Sequence, residues 1–175
     1  LALDNPVYEE LACKFFEHFV YIAGAMDRIG IHRDELWDEE DGFFYDVLRL
    51  PGGEARRVKV RSMVGLIPLF ASAVFSADTL ERLPRFQRRV AHFVQMNSSL
   101  MTQISNPVEP GVDGRILLSP VNRQKLTRIL QRMLDTSEFL SPYGIRALSR
   151  YHHEHPYAFA LEGHVYRVDY EPAGS

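Results

Sequence analysis

The residues best suited to chemistry lie close together, in Trp37-Asp38-Glu39-Glu40-Asp41-Gly42-Phe43-Phe44-Tyr45-Asp46, and six of the eight positions from Asp34 to Asp41 are acidic. Aromatic rings beside carboxylates suit sugar recognition, because the C–H faces of a sugar stack on a ring while carboxylates accept its hydroxyl protons. The plainer alternative is a solvated acidic loop pinned by one tryptophan. Clustered Asp and Glu also supply hard oxygen ligands of the kind calcium takes, but the alternating positions of a calcium-binding loop are missing. Arg61-Ser62 stands where a side chain could point into a pocket mouth, or where a structural arginine could pair with the acidic loop. His152-His153-Glu154-His155 offers ligands that suit zinc. It lacks the His-Glu-x-x-His spacing, and adjacent residues rarely converge on one ion without a helical offset, so no metal site is expected. Cys13, between Ala12 and Lys14, reads as a small buried hydrophobe rather than a nucleophile. No Gly-rich phosphate loop, Gly-x-Ser-x-Gly or Cys-x-x-Cys occurs. Nucleotide and acyl chemistry therefore lose their usual signatures, and no cofactor is expected.

Several elements must position these groups. A first helix is predicted from Asn5 to Ile29, with Asn5 as N-cap, Pro6 at the first helical position, Glu9 and Glu10 near the positive end, and Gly30 as the stop. Val7, Leu11, Phe15, Phe19, Ile22, Met26 and Ile29 recur at helical spacing, and Tyr8, Ala12, Phe16, Val20 and Ala23 form a second apolar row. So wide a stripe predicts a helix covered on two sides. After the acidic connection, Phe43–Leu50 and Ala55–Val60 read as strands of a hairpin around Pro51-Gly52-Gly53. The almost wholly apolar stretch from Ser62 to Phe75 predicts a buried helix whose regular part starts near Pro68. Asp78 or Thr79 caps an amphipathic helix reaching Met96, with Leu80, Leu83, Phe86, Val90, Phe93 and Val94 inward and Arg82, Arg85, Arg88 and Arg89 on a solvated face. Residues 97–118 read as a loop with short helical turns. Ser119-Pro120 opens a helix to Leu134, Ser141-Pro142 a short helix to Arg150, and a hairpin follows from Ala158–Leu161 and Val165–Val168 around Glu162-Gly163-His164.

At 175 residues, 46% apolar and 25% charged, the chain is expected to form one domain. A net charge of −3 and a pI near 6.2 give no electrostatic reason to expect nucleic acid. One cysteine cannot form an internal disulfide, so the cytoplasm is the default compartment. No apolar run approaches the roughly 20 residues that span a bilayer, so no membrane is expected. The chain opens at Leu1-Ala2-Leu3 and stops at Glu171-Pro172-Ala173-Gly174-Ser175, and both ends read as cut.

Three segments carry a family resemblance. They are Leu36-Trp37-Asp38-Glu39-Glu40-Asp41-Gly42-Phe43-Phe44-Tyr45-Asp46-Val47-Leu48, then Lys59-Val60-Arg61-Ser62-Met63-Val64-Gly65-Leu66-Ile67-Pro68-Leu69-Phe70-Ala71, then Ser141-Pro142-Tyr143-Gly144-Ile145-Arg146-Ala147-Leu148-Ser149-Arg150-Tyr151-His152 with Arg167-Val168-Asp169-Tyr170-Glu171-Pro172. In this order and spacing they resemble glucosidase-like proteins of glycoside hydrolase family 63. The resemblance implies a mainly α fold, a segment of an (α/α)6 barrel spanning 1–175 with small β-hairpins, and hydrolysis of α-glucosidic or α-mannosidic linkages with inversion. Such a mechanism needs a general acid and a general base on motifs that this chain lacks. Carried over by motif, the resemblance yields only substrate-binding residues: Trp37, Asp38, Asp41, Phe44, Tyr45, Asp46 and Arg61.

Six helical hairpins need twelve long helices, and about four are counted here. The wide apolar face of the first helix would then be exposed, and it would be covered by a copy of the chain or by further polypeptide. Two rivals follow. One is a non-catalytic helical interaction module that self-associates. The other is an active hydrolase in which Asp38 and Asp46 have taken over catalysis.

Overall fold

Asn5 opens the first helix of the computed structural model, which describes residues 1–27, 35–102 and 104–172. Its side-chain oxygen accepts the Val7 N–H at 3.0 Å, and Pro6 follows where its missing N–H costs nothing. This helix, α1, spans Pro6–Asp27; the expected end at Ile29-Gly30 lies outside the described residues. Next come β1 (Trp37–Asp38), β2 (Phe43–Phe44), β3 (Asp46–Arg49), β4 (Ala55–Val58), a 3-10 segment Met63–Leu69 and β5 (Ala73–Phe75). The middle holds α2 (Ala77–Glu81), α3 (Pro84–Met96), α4 (Ser98–Met101), a 3-10 turn Val112–Gly114, β6 (Ile116–Leu118) and α5 (Arg123–Met133). The chain continues through β7 (Leu140–Ser141), β8 (Gly144–Ile145), a 3-10 turn Arg150–His153, β9 (Tyr157–Leu161) and β10 (His164–Val168).

The expected mainly α barrel segment is overturned. Of the described residues 42% are helical and 21% are strand, and the strands pair as five antiparallel two-stranded ribbons, so the chain is mixed α and β. Two predicted helices account for much of the difference. The stretch 62–75 forms the 3-10 segment, with Pro68 near its end, and then β5, which pairs with β6 from Ala73↔Leu118 to Phe75↔Ile116. Proline has no N–H for a helical ladder, and a long-range strand partner takes over the backbone bonds of residues 73–75. It is not uniformly buried either: Leu66 is enclosed, but Val64, Ile67 and Phe70 are exposed. The stretch 141–150 folds as the β7–β8 ribbon, whose turn places Gly144 at φ +121°, where a helix cannot continue.

The chain divides into two compact units, one of Leu1–Ile31 with Pro68–Gln124 and one of His32–Ile67 with Lys125–Ser175. In the first, Phe16, Val20 and Ala23 of α1 pack with Val90, Phe93, Ile104 and Leu118. Phe16 meets Phe86 and Phe93 edge to face, with centroids 6.0 and 5.9 Å apart. This row of α1 is covered, and Phe19 of the other row packs partly against the same core, but Val7, Phe15 and Ile22 of that other row are 70%, 64% and 64% exposed. The single amphipathic helix expected to reach Met96 is two. Ser76 caps α2 by accepting the Thr79 N–H, and Pro84 holds Leu83 outside the helical region, which ends α2 and starts α3. Leu83 has no capping side chain, and Glu9 of α1 does the work instead, accepting the Arg85 and Phe86 N–H groups at 2.9 Å each. The arginine face is exposed, with Arg89 bonded to Glu17 at 2.8 Å.

In the second unit the predicted hairpins are present. β3 and β4 pair from Asp46↔Val58 to Arg49↔Ala55, shorter than expected because Phe43 and Phe44 belong to the β1–β2 ribbon. β9 and β10 close through Glu162 and Gly163, both at positive φ, the geometry of a two-residue type I′ turn. Helix α5 begins at Arg123 rather than at Ser119 and buries Ile129. Phe43 stacks on Phe139 at 5.7 Å, and both are fully enclosed. No helix among the described residues is long and apolar enough to cross a membrane.

Candidate functional site

The acidic stretch is a short ribbon with a tight turn. Trp37 pairs with Phe44 and Asp38 with Phe43. Between them Gly42, at φ +63°, returns its N–H to the Asp38 carbonyl at 2.8 Å, and the Asp38 carboxylate caps the Asp41 N–H at 2.8 Å. This turn aims two carboxylates at one strand edge. Arg57 lies near the end of β4, and Lys59 and Arg61 follow it through tight backbone turns, Val60 N–H to the Val58 carbonyl and Ser62 N–H to the Val60 carbonyl; all three side chains reach these carboxylates. Asp38 Oδ2 binds Arg57 Nη1 at 2.7 Å and Lys59 Nζ at 3.0 Å. Asp41 binds the same Lys59 Nζ at 3.1 Å and Arg61 Nη2 at 3.0 Å. The Lys59 ammonium thus bridges the two carboxylates.

Arg61 is the hub. Its guanidinium also reaches Glu138 Oε1 at 3.1 Å and Tyr45 Oη at 3.3 Å, and lies 3.8 Å from the Tyr151 ring centroid. Tyr45 donates to Asp41 Oδ2 at 3.0 Å. Glu138 takes a further ion pair from Arg132 and the Ser149 hydroxyl at 3.1 Å, while Arg132 Nε holds the Asp41 carbonyl at 2.7 Å. Burial opposes ionisation of Asp38, but the Asp41 N–H and the Lys59 and Arg57 cations prevail and hold its pKa at about 2. Asp41 is shifted down likewise, burial being outweighed by Lys59, Tyr45 and Arg61. Burial pushes the Tyr45 phenol up to about 12, so it remains a donor.

The structure brings six of the seven expected residues together. Trp37, Phe44 and Tyr45 are about 95% buried, with Trp37 and Phe44 in edge contact at 4.9 Å. Lys125 Nζ lies 5.3 Å from the Trp37 ring and Arg128 Cζ 5.6 Å, so protein cations cover the indole. Asp46 is exposed at the start of β3 and makes no bond to this network. The ion-pair network borders a polar groove of about 280 Å³, lined by Glu40 and Asp41 from the turn, Arg128, Gln131 and Arg132 from α5, and Asp135 and Glu138 after α5. Arg128 ties the turn to α5 through the Glu39 and Glu40 carbonyls and the Glu39 carboxylate at 2.9 Å. The Glu40 and Gln131 side chains make no hydrogen bond among the described residues, so both have bonding capacity left for a ligand.

Sequence reasoning missed Arg57, Lys59, Arg128, Arg132 and Glu138. The basic alternation at 57, 59 and 61 was a usable signal, since cations at period two in an expected strand fall on one face. Glu138 had none: it reaches Arg61 across 77 positions. The histidine cluster does not converge. His152 is buried and bonded to backbone on both nitrogens, His155 stacks on Tyr151 at 4.3 Å, and His153 stands edge-on to Tyr170. No group of three His, Cys, Asp or Glu side chains able to hold a metal occurs among the described residues. Cys13 is buried, and burial raises its thiol pKa, the opposite of an activated nucleophile.

The chain is 41% identical over 187 aligned positions to a Saccharomyces cerevisiae protein described as uncharacterized protein YMR196W. The alignment covers 100% of this chain and 17% of that protein, so the chain spans about a sixth of its relative's length. No family model matches the chain. No solved structure matches it.

Proposed function

We propose that the chain is a segment of a longer glycoside hydrolase of the family 63 kind, acting on α-glucosidic or α-mannosidic linkages, and that it forms pocket wall without supplying the general acid or base. One observation carries the non-catalytic part. The chain's best-placed carboxylates, Asp38 and Asp41, are held ionised by Arg57, Lys59 and Arg61. A general acid needs a pKa near the working pH, and Asp38 at about 2 is far from it. This speaks against Asp38 serving as the general acid. The carbohydrate part is supported by the three ordered segments and by the polar groove with Glu40 and Gln131 open to hydroxyls, and alignment of the whole chain within a much longer relative supports only its being a segment. A cytoplasmic setting goes with this proposal, because one buried thiol needs no oxidising compartment.

The test uses a longer polypeptide that carries this segment, with α-linked glucose and mannose disaccharides as substrates and NMR to follow the anomer released. Inverted product, persisting in Asp46→Asn and weakened in KM by Gln131→Ala, supports the proposal. Absence of hydrolysis and of sugar binding in the longer polypeptide overturns it. The exposed row Val7, Phe15 and Ile22 on α1 favours a second reading, a self-associating module with carbohydrate playing no part. Sedimentation separates them: a concentration-dependent dimer abolished by Phe15→Glu belongs to the second alone.

A further inference from the structure

His152 is 1% exposed, and both ring nitrogens face backbone groups with fixed roles. The Arg61 N–H points at Nε2 from 2.8 Å, so Nε2 must present a lone pair. Nδ1 lies 2.9 Å from the His155 carbonyl, which can only accept, so Nδ1 carries the proton. The two partners together require a neutral ring in one tautomer. A second proton on Nε2 would confront the Arg61 N–H and break that bond.

The bond belongs to a clasp. The Arg61 carbonyl accepts the Ser149 N–H at 2.8 Å, Met63 N–H donates to the Ala147 carbonyl at 2.7 Å, and Ser62 bridges to Leu148. Both backbone groups of Arg61 are therefore engaged by residues 149–152, while its guanidinium holds Asp41, Glu138 and Tyr45. The charged and titratable groups around the ring are the Arg61 guanidinium, which opposes a second positive charge, the Glu138 carboxylate, which favours one, His155, and Tyr151, edge-on at 5.5 Å.

We propose that His152 is a pH-operated latch: neutral, it closes residues 147–152 onto residues 61–63; protonated, it releases them and with them the anchor of the acidic turn. Burial first, and then Arg61, lower the pKa of the closed-state imidazole from 6.5, and the His155 carbonyl only partly offsets them. The sign follows. The closed form binds fewer protons than the open one, so closure is fully favoured above pH 6.5 and weakens as pH falls from 6.5 toward the lowered value. Asp38 and Asp41 titrate in a separate window, below their ordinary 3.8. The latch is independent of the carbohydrate reading.

The experiment is amide exchange at Arg61, Met63 and Ser149 in the whole chain between pH 7.5 and 5, corrected for intrinsic exchange. The opening constant is expected to be flat above pH 6.5 and to rise below it, with a limiting slope of about tenfold per pH unit that levels off at the lowered closed-state value. In His152→Gln the side-chain carbonyl can still accept from Arg61 but does not titrate, so protection persists and the slope disappears. His155→Gln should leave the slope intact. A flat profile in the unmutated chain, or an unchanged slope in His152→Gln, overturns the latch. If that variant does not fold, the NMR titration of His152 decides: a pKa at the ordinary 6.5, or a proton on Nε2 at pH 7.5, refutes it.

Discussion

Replacing Arg61 with methionine keeps the aliphatic stem and deletes the guanidinium on which unit two's polar network converges. Four contacts go at once: Glu138 at 3.1 Å, Asp41 at 3.0 Å, Tyr45 at 3.3 Å and the Tyr151 ring at 3.8 Å. Removing one partner of a buried ion pair costs about 3–5 kcal/mol, because the other charge is left uncompensated. Here the bereaved carboxylates keep other partners, Lys59 for Asp41 and Arg132 for Glu138, which places the expected loss near the lower end, about 3 kcal/mol. Arg61→Lys retains charge but cannot fork toward Asp41, Glu138 and Tyr45 together, so a loss of about 1–2 kcal/mol is expected. The assay is convenient because the chain has one tryptophan, Trp37, and it lies buried in this unit. Its fluorescence in urea, which does not screen ion pairs as guanidinium chloride does, reports the transition directly. With a slope of about 2 kcal/mol per molar, Arg61→Met should lower the midpoint by about 1.5 M. A shift below about 0.3 M would refute the reasoning, for the network would then be worth no more than an exposed pair.

Two further predictions concern packing inside each unit, Glu9 in the first and Gly65 in the second. Glu9→Ala should leave the Arg85 and Phe86 amides of α3 without acceptors and cost about 2–3 kcal/mol, seen as a fall of about 5–10 °C in the circular dichroism melt. Glu9→Gln, which keeps a carbonyl acceptor, should recover more than half of that loss. Gly65→Ala would place a Cβ 2.3 Å from the Phe43 ring and 2.5 Å from the Phe44 carbonyl, and should cost about 1–3 kcal/mol. Gly52→Ala, with nothing within 4 Å, is the control expected to change stability little in the same urea titration.

The sequence by itself determined the features whose causes are local. Asn5 and Pro6 mark the start of α1, Pro51-Gly52-Gly53 separates β3 from β4, and Glu162-Gly163 closes the last hairpin, because capping and positive-φ turns need only neighbouring residues. It also made Arg61 a candidate partner of the acidic loop, a role the ion pair with Asp41 shows. Only the tertiary structure decided the rest. Residues 62–75 are apolar enough for a buried helix, but Ala73–Phe75 found a strand partner some 40 positions away at Ile116–Leu118, and composition carries no trace of that pairing. The α3 cap comes from Glu9, 76 positions upstream, and Glu138 enters the Arg61 network from 77 positions downstream. Trp37 and Tyr45 stand in the sequence as substrate-binding candidates, and only packing shows that both are enclosed, with the cations of residues 57–61 and α5 against the charges and ring faces around them. Which polar groups neutralise each other is a matter of long-range proximity, and short-range periodicity does not encode it.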